Sequence, residues 1–319
     1  MSRSGTPLRR DGRTAGALLA VYLAWGATYP AIQVLDRSVP PLLGMGARFL
    51  AGGLLLYGYL LARGGRGRVR ASLASHGGAA LAGVWIIGDI GLIAVAEQRV
   101  PAGLAALLIA SVPLWVVIIR TLARPRPGRL EILAVVVGFA GIALVTRPDA
   151  WEADGWMMTL LLAAAVLEAS GEVYSTRLPQ PDDALLATAV QLVGAGTVLI
   201  AAGVGADEQA HLHLAKLNLT TLAAFAFLVT VGSVLAYTAF VWLLQHQPVS
   251  TVATYAYVNP IVAAAIGWAL LGESLTAFTL GGGALILISV AVVIRCQRHP
   301  DPERLPKRAS RSGRVTADR

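Results

Sequence analysis

Cysteine and charge are what this sequence lacks most. Cys296 is the single cysteine, so no disulfide can close within the chain and no thiolate cluster can hold a metal. Charged residues are 14% of the 319, well below the ~25% of an ordinary soluble domain. No His-Glu-x-x-His occurs, which removes the usual zinc-protease arrangement. No repeated polar filter or ring of charge marks an ion channel. Lysine is missing from every long apolar block, which argues against a multiply charged phosphate as ligand.

The apolar residues are plentiful and blocked. They make up 56% of the chain, and the mean hydropathy is +0.66. A bilayer core of about 30 Å needs roughly 20 apolar helical residues at 1.5 Å each. Ten blocks of that kind are read at 15–33, 42–62, 78–96, 102–122, 130–146, 156–174, 184–204, 220–244, 250–271 and 275–294. Little is left to build a soluble domain. The expected fold is an all-α polytopic membrane protein with ten transmembrane helices. The first block follows a basic stretch like a signal peptide, but it is long for one and lacks a small-x-small exit, so it reads as an uncleaved helix.

A net charge of +8 raises the question of nucleic acid, and the distribution answers it. The basic residues lie between blocks rather than on one soluble face. With a cytoplasmic N-terminus, only Arg37, Arg99, Arg147 and Lys216 fall outside, and Arg48 lies within a block. The rest cluster on the inner side, so both termini are expected in the cytoplasm. The basic tail reads as a topology-fixing segment able to touch anionic lipid, and no nucleic-acid partner is expected.

The chain also repeats itself. Pro101 and Pro113 in the fourth block recur as Pro248 and Pro260 in the ninth, and "GFAGIALVT" (138–146) recurs as "GGGALILIS" (281–289). Five blocks per half is an odd number, so the second half must enter the membrane from the opposite side. The expectation is two inverted five-helix repeats, with Pro113 and Pro260 bending or opening their helices near the midplane. The boundaries are a basic cytoplasmic N-terminus at 1–14, a first repeat at 15–146, an outer linker at 147–155, a second repeat at 156–294 and a basic cytoplasmic tail at 295–319.

The stretches "LAWGATYPAIQ" (23–33), "ARFLAGGLLL" (47–56), "EQRVPAGLAALLIASVPLWV" (97–116), "GFAGIALVT" and "YAYVNPIVAAAIGWALLGESLT" (255–276) resemble the EamA-type branch of the drug/metabolite transporter superfamily. The last is the most specific, with Asn-Pro in mid-block and Gly-Glu at the helix end. The resemblance implies two EamA repeats, both termini cytoplasmic, and transport of small metabolites, often export, across the cytoplasmic membrane. The sixth block departs from it: the family usually has a Trp where this chain has Glu168.

Ionisable residues at membrane depth cost about 2.5–3.5 kcal/mol each on insertion scales and so need a cavity or a partner. Arg48 and Asp89, on consecutive blocks, are a candidate ion pair, either simply holding two helices together or with one of them binding a charged end of the substrate. Glu168 and Glu172, four apart and so on one face, are candidate proton carriers; for Glu172 the simpler alternative is pairing with Arg177 or Arg63. Trp25 with Tyr29, and Tyr255 with Asn259, share helix faces in the same way. These four, with Asp89 and Tyr237, are the candidate substrate-binding residues, although aromatics at such spacing also serve packing. Trp115 is a further aromatic at that depth. His211 and His213 in the longest outer loop are a weak metal motif, and no metal or cofactor is expected. The functional expectation is a secondary transporter of an amino acid, drug or related small molecule, working by alternating access with protons as coupling ion. The alternative is a polytopic membrane enzyme or a channel. "IIGDIG" (86–91) resembles an intramembrane aspartyl protease motif, but Ile86 stands where its first glycine is needed and no second membrane aspartate accompanies Asp89.

Overall fold

The computed structural model describes residues 12–123, 128–146, 155–212, 215 and 217–298. Most of the N-terminal segment, nearly all of the linker, most of the tail and His213 lie outside these. The described residues are helical, with no strands among them. In chain order the helices are α1 (Gly12–Asp36), α2 (Pro41–Arg68), α3 (Leu73–Ile86), α4 (Asp89–Glu97), α5 (Ala102–Ile109), α6 (Val112–Ala123) and α7 (Arg129–Val145). Then follow α8 (Gly155–Tyr174), α9 (Ala184–Gly205), α10 (Leu219–Phe227), α11 (Ala236–His246), α12 (Val249–Val252), α13 (Tyr255–Ile266) and α14 (Ala277–Arg298).

Eight segments are long and apolar enough to cross a membrane: 12–36, 41–68, 73–97, 102–121, 155–177, 184–205, 219–246 and 277–296. The other two expected crossings are shorter. Tyr255–Leu271 is apolar but below the length of a full span, and α7 has 17 residues. At 1.5 Å per residue, 17 residues reach about 25 Å, short of a ~30 Å hydrocarbon core.

Several crossings are built from broken helices. Between α3 and α4 the chain turns at Ile87–Gly88, and between α5 and α6 at Ala110–Ser111. A π-helical stretch, Leu228–Leu235, joins α10 to α11, and a second, Gly267–Leu271, follows α13. Pro113 stands two residues beyond the α5–α6 break, as expected of a residue that cannot donate into the preceding turn. Pro260 does not sit at a break; it lies inside α13, and the interruption falls earlier, at Ala253–Thr254. The first turn of α13 is already tightened there, with Ala256 N–H bonded to the Ala253 carbonyl (3.2 Å) and Tyr257 N–H to that of Thr254 (3.4 Å).

The helices pair closely in a fixed pattern. The dominant contacts are α2 with α9 and α7 with α14; α1 packs on α11 and α13, while α8 packs on α4 and α6. Backbone approaches backbone where α2 meets α9: a Cβ on Gly46 would lie 3.0 Å from the Gly196 carbonyl, and one on Gly196 would lie 2.8 Å from the Gly46 carbonyl. Small residues permit this, and in lipid such dispersion contact is what holds helices together. Large apolar side chains point outward as well as inward; Leu54, Leu55, Leu133, Val136 and Ile288 are all exposed, as suits a lipid-facing surface.

Helix starts in this protein are capped from a distance as well as locally. Asp183 caps α9 by accepting from Leu185 and Leu186 N–H (2.9 and 3.2 Å), and its other oxygen meets Arg68 Nε at 3.0 Å. Two helices that begin after a proline, α2 and α5, have no local side-chain cap. Each borrows a glutamate from elsewhere. Glu208 accepts from Leu42 and Leu43 N–H (3.2 and 2.9 Å), and Glu273 accepts from Ala102 and Gly103 N–H (2.6 and 3.1 Å).

Candidate functional site

The broken crossings pack against α1 and α8, α10, α11 and α13 on the first and α3 to α6 on the second. Backbone irregularity at membrane depth is tolerated where protein or a water-filled cavity satisfies the freed groups. Gly88 allows the first break, because a Cβ there would fall 2.2 Å from the Val84 carbonyl oxygen. Asp89 follows as the first residue of α4. Asp89 is 1% exposed, and its carboxylate meets no side-chain partner, only the neighbouring N–H groups of Asp89 and Ile90 at the start of α4. On α13, Asn259 is 8% exposed and its Oδ1 is unpartnered. Buried polar atoms are normally satisfied, so these two are the clearest sign of a missing occupant, water or ligand.

One wall is aromatic. Trp25 on α1 lies 5.2 Å from Tyr237, 5.0 Å from Phe240 and 5.1 Å from Tyr255, centroid to centroid. Phe240 and Tyr255 are 5.7 Å apart and near perpendicular. The indole is held in orientation: Trp25 Nε1 donates to the Gly232 carbonyl at 3.2 Å. Gly232 is in the π-helical stretch, where the altered ladder presents a carbonyl that an α-helix would use internally. Tyr22 and Thr254 hydroxyls bond to each other below this wall, tying α1 to the segment before α13.

The facing wall is acidic. Glu168 and Glu172 project from α8, with Asp89 on α4 packed against it. Glu168 is half-buried, and Glu172 is exposed. Asp89, Glu168 and Glu172 lie within electrostatic reach of one another, and Tyr29, Tyr237 and Tyr255 within reach of this group. The structure thus gathers Trp25, Tyr29, Asp89, Tyr237 and Tyr255 with both proposed proton carriers, while Asn259 lies one turn beyond Tyr255 on α13. Neither Arg63 nor Arg177 pairs with Glu172; they lie over the rings of Tyr59 and Tyr174, 5.7 and 5.2 Å from the centroids. The cation within reach of Glu172 is Arg120.

Arg48 and Asp89 do not pair. Arg48 points instead to the π-helical stretch: Nε donates to Ser233 Oγ at 3.2 Å, one terminal nitrogen contacts Met45 Sδ at 3.7 Å, and the guanidinium sits 4.7 Å over the Phe49 ring. Adjacency in sequence had suggested the pair; the register of α2 aims Arg48 at α2's other neighbour. Trp115, also considered for the pocket, packs edge-on against Phe139 at 4.8 Å.

Three features were not read from the sequence. Glu97, 1% exposed and unpartnered, stands at the same end of the molecule as Asp36, whose oxygens are also unpartnered. Phe240 completes the aromatic wall. Glu273 bridges two crossings; its signal was the Gly-Glu at the helix end. Gly272 adopts φ +72°, a left-handed turn that glycine accepts readily, and Glu273 N–H then bonds the Gly267 carbonyl at 3.1 Å. That reversal swings the carboxylate onto the start of α5.

The profile of the EamA-like transporter family matches residues 13–147 and again 155–295. The chain belongs to that family. The transporter is 34% identical over 280 residues to the inner membrane transporter YedA of Escherichia coli (strain K12), covering 87% of this chain and 89% of that one. It is 26% identical to the transporter YvbV of Bacillus subtilis (strain 168), covering 88% and 91%. A Salmonella typhimurium relative named "Probable amino-acid metabolite efflux pump" is 25% identical, covering 89% and 94%. A solved crystal structure shares the fold with a TM-score of 0.59 at 17% identity, over 90% of this chain and 98% of that one. Family and relatives indicate a membrane transporter of the drug/metabolite type with a small-molecule substrate, rather than an enzyme.

Proposed function

We propose that this transporter exports a small metabolite across the cytoplasmic membrane by alternating access, exchanging it for protons, with both termini in the cytoplasm. The observation that carries the proposal is a pair of buried polar groups without side-chain partners, Asp89 and Asn259, each on a broken crossing. Buried polar atoms left without partners are costly, and substrate and water that come and go during transport would satisfy them. Trp25, Tyr29, Asp89, Tyr237, Tyr255 and Asn259 contact substrate. Glu168 carries the proton, and Glu172 relays it to the vestibule.

Two inverted five-helix repeats make ten crossings in this reading, α7 and Tyr255–Leu271 spanning a locally thinned bilayer. The pairing of helices supports it. Exchanging the halves maps the α2–α9 contact and the α7–α14 contact onto themselves, and maps α1 against α11 and α13 onto α8 against α4 and α6. The offset that carries Gly138 onto Gly281 turns the Gly46–Gly196 approach into that of Ala189 and Gly53, where a Cβ on Gly53 would meet the Ala189 carbonyl at 2.8 Å. The two family matches support it as well. Rocking of one three-crossing group against the other then exposes the site to alternate sides, with the helices bending at Pro113 and beside Pro260.

The test is counterflow in proteoliposomes under an imposed pH gradient. Saturable exchange that follows the gradient is expected, and Glu168→Gln should remove the pH dependence. Unchanged rate and pH dependence in that variant would end the coupling role.

A further inference from the structure

The offset between the halves also carries Trp25 onto Glu168 and Tyr29 onto Glu172. Where α1 offers an aromatic pair, its partner α8 offers a carboxylate pair on the same helix face. The two three-crossing groups therefore differ in chemistry although they match in packing. One presents Trp25, Tyr237, Phe240 and Tyr255. The other presents Asp89, Glu168 and Glu172.

From this juxtaposition we propose that the substrate is a small organic cation, an amine or quaternary ammonium without a free carboxylate. The inference rests on the reading of this cavity as the translocation site. Its cationic head sits against Asp89 and Glu168, and its body lies on the rings of Trp25 and Tyr255, with Asn259 Oδ1 as a neutral acceptor. An indole face attracts a cation through its quadrupole, and low-dielectric surroundings strengthen both this attraction and the carboxylate contact. Asn259 is independent evidence of an occupant, being neutral, 8% exposed and unpartnered at Oδ1.

Among the described residues, no cation forms an ion pair with the acidic wall. Arg48 is held by Ser233 and Met45 and stacked on Phe49, and Arg120 is within reach of Glu172 on the vestibule side. Asp89 meets neither of them as an ion pair within hydrogen-bond distance. Among the described residues, a substrate carboxylate would meet three carboxyl groups here, with Arg48 turned to Ser233 and Phe49.

The test uses the purified full-length transporter and radiolabelled benzyltrimethylammonium in equilibrium dialysis, with phenylacetate and benzyl alcohol as anionic and neutral competitors. Saturable binding of the cation is expected, unaffected by a 100-fold excess of either competitor. Asp89→Asn and Glu168→Gln should each weaken it at least 10-fold, Trp25→Ala several-fold, and Glu168→Asp should stay within about 3-fold of the native chain, which separates charge from folding. No saturable cation binding, or equal competition by phenylacetate, overturns the proposal, as does native affinity in both Asp89→Asn and Glu168→Gln. Counterflow on the same preparation keeps the two readings apart. Cation binding without flux upholds the substrate class and sinks the carrier; flux of phenylacetate without cation binding does the reverse.

Discussion

Removing Glu273 tests whether one residue latches two crossings together. Its carboxylate accepts two hydrogen bonds from the free N–H groups at the start of α5, at 2.6 and 3.1 Å, and so sits on the positive end of that helix. Loss of a capping side chain costs about 0.5–2 kcal/mol, and a carboxylate at a partly buried helix start adds up to ~2 kcal/mol. The site is half-buried, so water recovers part of the loss, and Glu273→Ala is expected to cost about 2–3 kcal/mol. Glu273→Gln keeps one oxygen acceptor but no charge and should cost about half as much. Gly267 gives a second route to the same break. A Cβ there would lie 2.2 Å from Glu273 Oε2, so Gly267→Ala must push the carboxylate off α5 without altering it. Equilibrium unfolding in mixed micelles measures all three, and the double variant Gly267→Ala/Glu273→Ala closes the cycle. Because both changes remove one contact, the double variant should cost little more than Glu273→Ala alone. A cost below about 0.5 kcal/mol for Glu273→Ala, or simple addition of the two single effects, refutes the latch.

The α2–α9 seam predicts a contrast between glycines. Gly196→Ala places a Cβ 2.5 Å from Leu50 N and should destabilise by about 1–3 kcal/mol in the same micelle assay, whereas Gly58→Ala, with open space around its Cβ, should stabilise by about 0.5–1 kcal/mol. At the other end of the molecule, Asp183→Asn should show a pH-dependent cost. Its slight burial raises the carboxyl, but the bond from Arg68 and those from Leu186 and Leu185 N–H outweigh that and hold it below the usual carboxylate range. A lowered folded value means the contribution is complete at neutral pH and is lost as pH falls through and below about 4, so native and variant stabilities should converge in acid.

Much of this was legible before any coordinates. Composition alone marks a membrane protein, because long uncharged runs have no other stable setting. Asp89, Glu168 and Glu172 stood out because charge inside an apolar block is costly enough to need a reason, and the aromatics stood out by spacing. What escaped depends on register and on contacts distant in sequence. Arg48 was matched to Asp89 because their helices are consecutive, but a rotation about α2 sends it to Ser233. The π-helical stretch that receives both Arg48 and Trp25 carries no signal in single-residue preferences, since one inserted residue per turn is decided by what packs around it. Pro260 misled about position. A proline excludes a hydrogen bond one turn before it, but neighbours settle whether the helix breaks there or tightens and breaks earlier.

The proposed duplication of a helical unit would explain why the lining can change in chemistry without a change in architecture. The seams between the halves are held by small residues and dispersion, as at Gly46 and Gly196, and these contacts are indifferent to what projects into the interior. Trp25 and Glu168 occupy related positions yet make unrelated contacts, one a hydrogen bond to Gly232, the other an electrostatic neighbourhood with Asp89. An interior lined on one side by rings and on the other by carboxylates is polarised between the two three-crossing groups proposed to rock against each other. Motion of one group against the other therefore changes the separation between the rings and the carboxylates, and with it the fit of any cation between them. Selectivity and movement would then share a single coordinate, which is why Glu168→Gln should alter ligand affinity and pH response together rather than separately.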